Sequence, residues 1–129
     1  MLIQTLKTLF NRDLEKLSQE INAYKNEKNI WLTEDGISNS AGNLCLHLLG
    51  NLNTYIGAEI GKTGYIRNRD LEFSMKDVTR QELLEGITKV KEIVQRSLDL
   101  MKDHELEQEY ALLVFKEKTS TGYFLVHLA

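Results

Sequence analysis

Ser40-Ala41-Gly42-Asn43-Leu44-Cys45-Leu46-His47-Leu48-Leu49-Gly50-Asn51-Leu52-Asn53-Thr54-Tyr55-Ile56-Gly57-Ala58 lies in a stretch, between Asp35 and Glu59, that holds no Asp, Glu, Lys or Arg. Its apolar residues recur at three- and four-residue steps, which predicts a helix from a cap at Ser38, Asn39 or Ser40 to about Ile60. A helix without charge on any face has no side suited to bulk water, so it belongs at the centre of a helical domain. A membrane span is the rival reading. Asn43, His47, Asn51, Asn53 and Thr54 would be expensive in hydrocarbon, and the sequence has no second stretch of this kind, so no membrane partner is expected.

At about 100° per residue, Ala41, Leu44, Cys45, Leu48, Leu49, Leu52, Tyr55 and Ile56 form one broad apolar arc. Ser40, Asn43, His47, Asn51, Thr54 and Ala58 fall on an adjoining seam that is small, neutral and polar. The seam is expected to face other helices, where each polar group needs a partner, and it suits the wall of a cavity holding water, a metal or a ligand. His47 sits at its middle. A buried imidazole of this kind is either satisfied by hydrogen bonds or offers a ring nitrogen to a metal, and one histidine alone does not decide between them. Asn43, Asn51 and Thr54 are the candidates for contacts to the substrate or to the groups that orient a ligand. Cys45, two residues from His47, points about 160° away around the helix and is expected in the core.

Working outward, Ile3, Phe10, Leu17 and Tyr24 recur every seven residues, with Leu6, Leu14 and Ile21 between them, and predict a first amphipathic helix over about 2–27. Trp31 is expected to pack back onto the bundle, and Asp35-Gly36 to turn the chain. Residues 61–78 show neither helical nor alternating period and read as a long connection. Thr79 and Glu82 make a capping box for a third helix with Leu83, Ile87, Val90, Val94 and Met101 inward, ending near Lys102. The run Tyr110 to Phe115 is too short to assign. Thr119, Ser120 and Thr121 offer caps for a fourth helix, seen as Tyr123, Phe124, Val126, His127 and Leu128, whose pattern is cut off at Ala129. The expectation is one domain over residues 1–129: all-α, an antiparallel four-helix bundle with a long connection between helices 2 and 3 and a truncated fourth helix.

The composition agrees: 129 residues, 42% hydrophobic and 27% charged, with no proline where about six would be usual, suit long helices around one core. Sixteen basic against 19 acidic residues give net charge −3, so there is no field to gather nucleic acid. A lone cysteine and an apolar N-terminal run broken by Arg12, Asp13 and Glu15 point to a reduced, cytoplasmic compartment. Gly61-Lys62-Thr63 lacks the upstream glycine of a phosphate loop, since that position is Ile56. Lys62, Tyr65, Arg67 and Arg69 are expected to pair with Asp70 and Glu72 rather than to greet an anion, and His104 to be solvated.

The long first helix, the run Asn39 to Leu52, and Tyr65-Ile66-Arg67-Asn68-Arg69-Asp70-Leu71-Glu72-Phe73 together resemble a branch of the DinB-like superfamily of small bacterial four-helix bundles. The resemblance covers nearly the whole chain. It implies a divalent metal, zinc or nickel, held by one histidine on the second helix and two at four-residue spacing on the fourth. His47 matches the first of these. His127 lies one turn ahead of the family's pair, which would fall beyond Ala129, and is itself the candidate second ligand. The chemistry so implied is activation of a low-molecular-weight thiol for attack on an electrophile, as in the thiol S-transferases of the superfamily. The alternative is a helical binding or dimerising module without metal or catalysis; a homodimer is expected in either case.

Overall fold

The computed structural model describes residues 2–33 and 39–101, and the described residues are all helical or irregular, without a strand. The expected Asp35-Gly36 turn, the Ser38 cap, the run Tyr110 to Phe115, the fourth helix, His104 and His127 lie outside them.

Helix α1, Leu2–Ala23, buries Leu6, Phe10, Leu14 and Ile21. It stops short of residue 27 because Asn26 turns the chain: its side chain accepts from the Lys28 N–H (3.1 Å) and opens a 3-10 turn over Glu27–Trp31. That turn inserts Ile30 and Trp31 into the core, and the indole Nε1 donates to the Val78 carbonyl (3.1 Å). The indole lies so close over Gly42 that a Cβ there would meet three ring atoms at 2.8 Å. Trp31 is therefore a packing residue.

Helix α2, Ala41–Leu52, is capped by Ser40, whose hydroxyl accepts from the Asn43 N–H (3.1 Å), and it continues as a wider π turn over Asn53–Ala58. Cys45, Leu49, Leu52 and Ile56 enter the core from it. The rest of the apolar arc behaves differently: Leu44 and Leu48 remain 45% and 46% exposed, so the arc is wider than the contact the described residues make.

The connection after α2 is not featureless. Asn68 caps a short helix α3, Arg69–Ser74, by accepting from the Leu71 N–H (3.3 Å). Helix α4, Arg80–Asp99, follows its Thr79 cap and buries Leu83, Ile87, Val90, Val94 and Leu98. Pairs of Lys7 with Asp99 and of Glu15 with Lys91 (2.5 Å), and a bond from Arg80 to the Tyr24 carbonyl, run α1 antiparallel to α4. Gly86 lies against Leu49, Gly57 against Ile93 and Gly61 against Ser97, so α2 and α4 run parallel. The antiparallel expectation thus holds for α1 against α4 but not for the pair joined by the long connection. Parallel neighbours need a crossover, and residues 59–79 supply it. No described helix is long and apolar enough to cross a membrane.

Candidate functional site

The polar seam of α2 meets the crossover rather than another long helix. Two of its residues, Asn43 and His47, reach α3 and hold that short helix in place. Asn43, 1% exposed, donates through Nδ2 to the carbonyls of Glu72 (3.0 Å) and Met75 (2.9 Å). Its Oδ1 accepts from Ser40 Oγ (2.6 Å) and from Lys76 Nζ (3.4 Å). Every polar atom of this buried amide is engaged, which is why asparagine can sit on the inward side of a helix here.

One turn on, the Glu72 carboxylate comes down against α2. The Arg67 guanidinium grips it in a fork, Nε to Oε2 at 2.8 Å and Nη2 to Oε1 at 2.9 Å. This hydrogen bonding raises the Arg67 pKa above its ordinary value despite the burial that opposes it. Glu72 Oε1 also lies 3.1 Å from His47 Nδ1, and Arg67 Nη2 is 3.2 Å from the same nitrogen. A carboxylate only accepts and a guanidinium only donates, so a proton on Nδ1 would bond to Glu72 and a lone pair there would accept from Arg67. With the proton on Nδ1, Nε2 is the ring nitrogen that carries a lone pair. Phe73 flanks the imidazole at 5.0 Å between ring centres, tilted by 36°. The side chain of His47 is 23% exposed and that of Glu72 only 7%, so the carboxylate is sealed behind the ring. Nearby, burial first and the charge of Glu72 second push the Tyr65 phenol up, against the guanidinium of Arg67.

The sequence-derived candidates divide accordingly. His47 and Asn43 both enter the cluster, although Asn43 acts as the clamp of the crossover. Asn51 is half-buried but makes none of these contacts, and the Thr54 hydroxyl, inside the π turn, is buried without a hydrogen-bond partner among the described residues. His127 lies outside the described residues. Sequence reasoning left Glu72, Arg67 and Phe73 out of the site. The available signal was the need of His47 for an acceptor when its own helix has no acidic residue.

Cys45 is excluded from the chemistry. It is fully buried on the core side of α2, and burial pushes its thiol up to about 12. A disulfide reagent at neutral pH is expected to leave Cys45 unmodified in the native chain and to label it only on unfolding in urea; labelling at the rate of a free thiol would contradict its placement.

Among the described residues, no group of three or more His, Cys, Asp or Glu side chains gathers where it would hold a metal. What is present is one imidazole with a buried carboxylate 3.1 Å from its Nδ1, an arrangement also found behind metal-ligating histidines. A family model described as a protein of unknown function (DUF1572) matches residues 2–120. No curated protein and no solved structure matches the chain.

Proposed function

The chain belongs to the DUF1572 family of proteins of unknown function, and from its site we propose a divalent-metal-binding bundle of the DinB-like type, with His47 as a ligand through Nε2. The observation that carries this reading is the buried Glu72 carboxylate on His47 Nδ1, with Arg67 locking the carboxylate in turn. A solvated histidine needs no such backing. A metal-ligating histidine commonly has it, because the far hydrogen bond fixes the ring and strengthens the ligating nitrogen.

In this reading His127 supplies a second ligand, and the ion is zinc or nickel. Such an ion, when bound, lowers the pKa of a coordinated water or thiol, which supports a thiol S-transferase type of reaction on a small electrophile. The residues of the chain itself do the orienting: Glu72 holds the ring, Arg67 holds Glu72, and Asn43 seats the helix that carries Glu72. A cytoplasmic homodimer completes the proposal.

The exposed leucines of α2, Leu44 and Leu48, support the second reading, a non-catalytic module that uses this face for a partner or a second copy and holds no metal. Metal addition separates the two. Zinc or nickel added to the metal-free chain is expected to raise its melting temperature and to leave His47→Ala unchanged, by the linkage of ligand binding to stability. Equal responses from both proteins would remove His47 from the ligand set; no response from the complete wild-type chain would favour the module.

A further inference from the structure

We propose that Gly50 is a positioning residue for His47, acting through Glu72: the missing side chain at position 50 is the space into which the carboxylate fits beside the imidazole. Gly50 lies one turn beyond His47 on α2 and is buried beneath α3. A Cβ built on it would overlap Glu72 Oε2, with the carboxyl carbon at 2.6 Å and Oε1 at 3.1 Å. Oε1 is the oxygen that lies 3.1 Å from His47 Nδ1. Gly50 is in ordinary helix, with no positive φ to require glycine there. Alanine would favour the helix more, so close approach of the carboxylate is what the glycine provides.

The two ends of the contact are fixed separately. Asn43 holds the backbone of α3 at the Glu72 and Met75 carbonyls, and Arg67 holds the carboxylate from the crossover side. With both fixed, the depth of the Glu72 side chain against α2 is set by what stands at position 50. An alanine there meets the far end of a flexible side chain, not rigid backbone, so α2 can persist while the carboxylate withdraws. Withdrawal removes the acceptor from Nδ1, and the ring loses its reason to keep the proton on that nitrogen.

The inference builds on His47 as the working side chain of the proposed site, but its readout needs no metal and therefore stands or falls separately. The test is nitrogen NMR of 15N-histidine-labelled full chain, metal-free and at alkaline pH, comparing wild type with Gly50→Ala. Wild type is expected to show His47 predominantly as the Nδ1–H tautomer, and Gly50→Ala to make that tautomer the minor one with helicity unchanged. A predominantly Nε2–H ring in wild type, or the Nδ1–H tautomer persisting in a folded Gly50→Ala chain, would overturn it. Should Gly50→Ala be too unstable for spectra, its cost is measured by urea unfolding in the wild-type and Glu72→Ala backgrounds. The proposal requires most of that cost to vanish when Glu72 is gone, and an equal cost in both backgrounds would refute it.

Discussion

Replacing Arg67 with alanine is expected to lower the unfolding free energy by about 3–5 kcal/mol, the range for stripping the partner from a buried charge. The Glu72 side chain is 7% exposed, and both of its oxygens take bonds from this one guanidinium. Without Arg67, the side-chain nitrogen left within reach of the carboxylate among the described residues is His47 Nδ1, which lies against one oxygen only. The loss should appear in urea unfolding as a lower midpoint at unchanged slope. Glu72→Gln added to Arg67→Ala removes the stranded charge, so the double variant is expected to regain part of the loss. A double variant no more stable than Arg67→Ala would show that the charge of Glu72 is not what Arg67 offsets.

A second large effect is expected at Asn43. Asn43→Ala strands the buried Glu72 carbonyl and releases the part-buried carbonyl of Met75, a residue 41% exposed. At roughly 1–3 kcal/mol for a buried group left unpaired, with a smaller share from Met75, the loss should be about 2–3 kcal/mol. Its location is as telling as its size. The crossover should loosen first, so amide exchange should quicken over residues 69–75 while the amides of α1 and α4 change only by the global loss. Uniform quickening through all helices would mean that Asn43 supports the core generally and does not seat α3 in particular.

Much of this fold is legible in the sequence because its helices are long enough to repeat. The buried positions Leu6, Phe10, Leu14 and Ile21 of α1, and Leu83, Ile87, Val90 and Val94 of α4, are those that the helical period picks out. Six residues of α3 do not complete two turns, so no period can show there, although Asn68 followed by Asp70 and Glu72 carries the signature of a capped start. The direction of α2 against α4 depends on where the crossover lands, which local pattern does not encode.

The site is legible in one half only. Polar residues on a charge-free helix stand out, and Asn43 and His47 do enter the cluster. Their partners Glu72 and Arg67 lie in a segment that reads as an ordinary charged loop, and their meeting with His47 depends on the crossover folding back along α2. The place of Thr54 on the seam assumes about 100° per residue throughout, whereas Thr54 falls inside the π turn that starts at Asn53, and its buried hydroxyl has no hydrogen-bond partner among the described residues.

A metal-binding bundle requires His47 to be a ligand and not only a hydrogen-bonded residue of the α2–α3 contact. The most direct measurement is the metal content of the full-length protein, purified without a metal-affinity tag, beside that of His47→Ala. Near-stoichiometric zinc or nickel in the wild type, lost from a folded His47→Ala, is the predicted result. The same metal content in both, or a wild-type protein that carries no metal and takes up none when zinc or nickel is supplied, would contradict it.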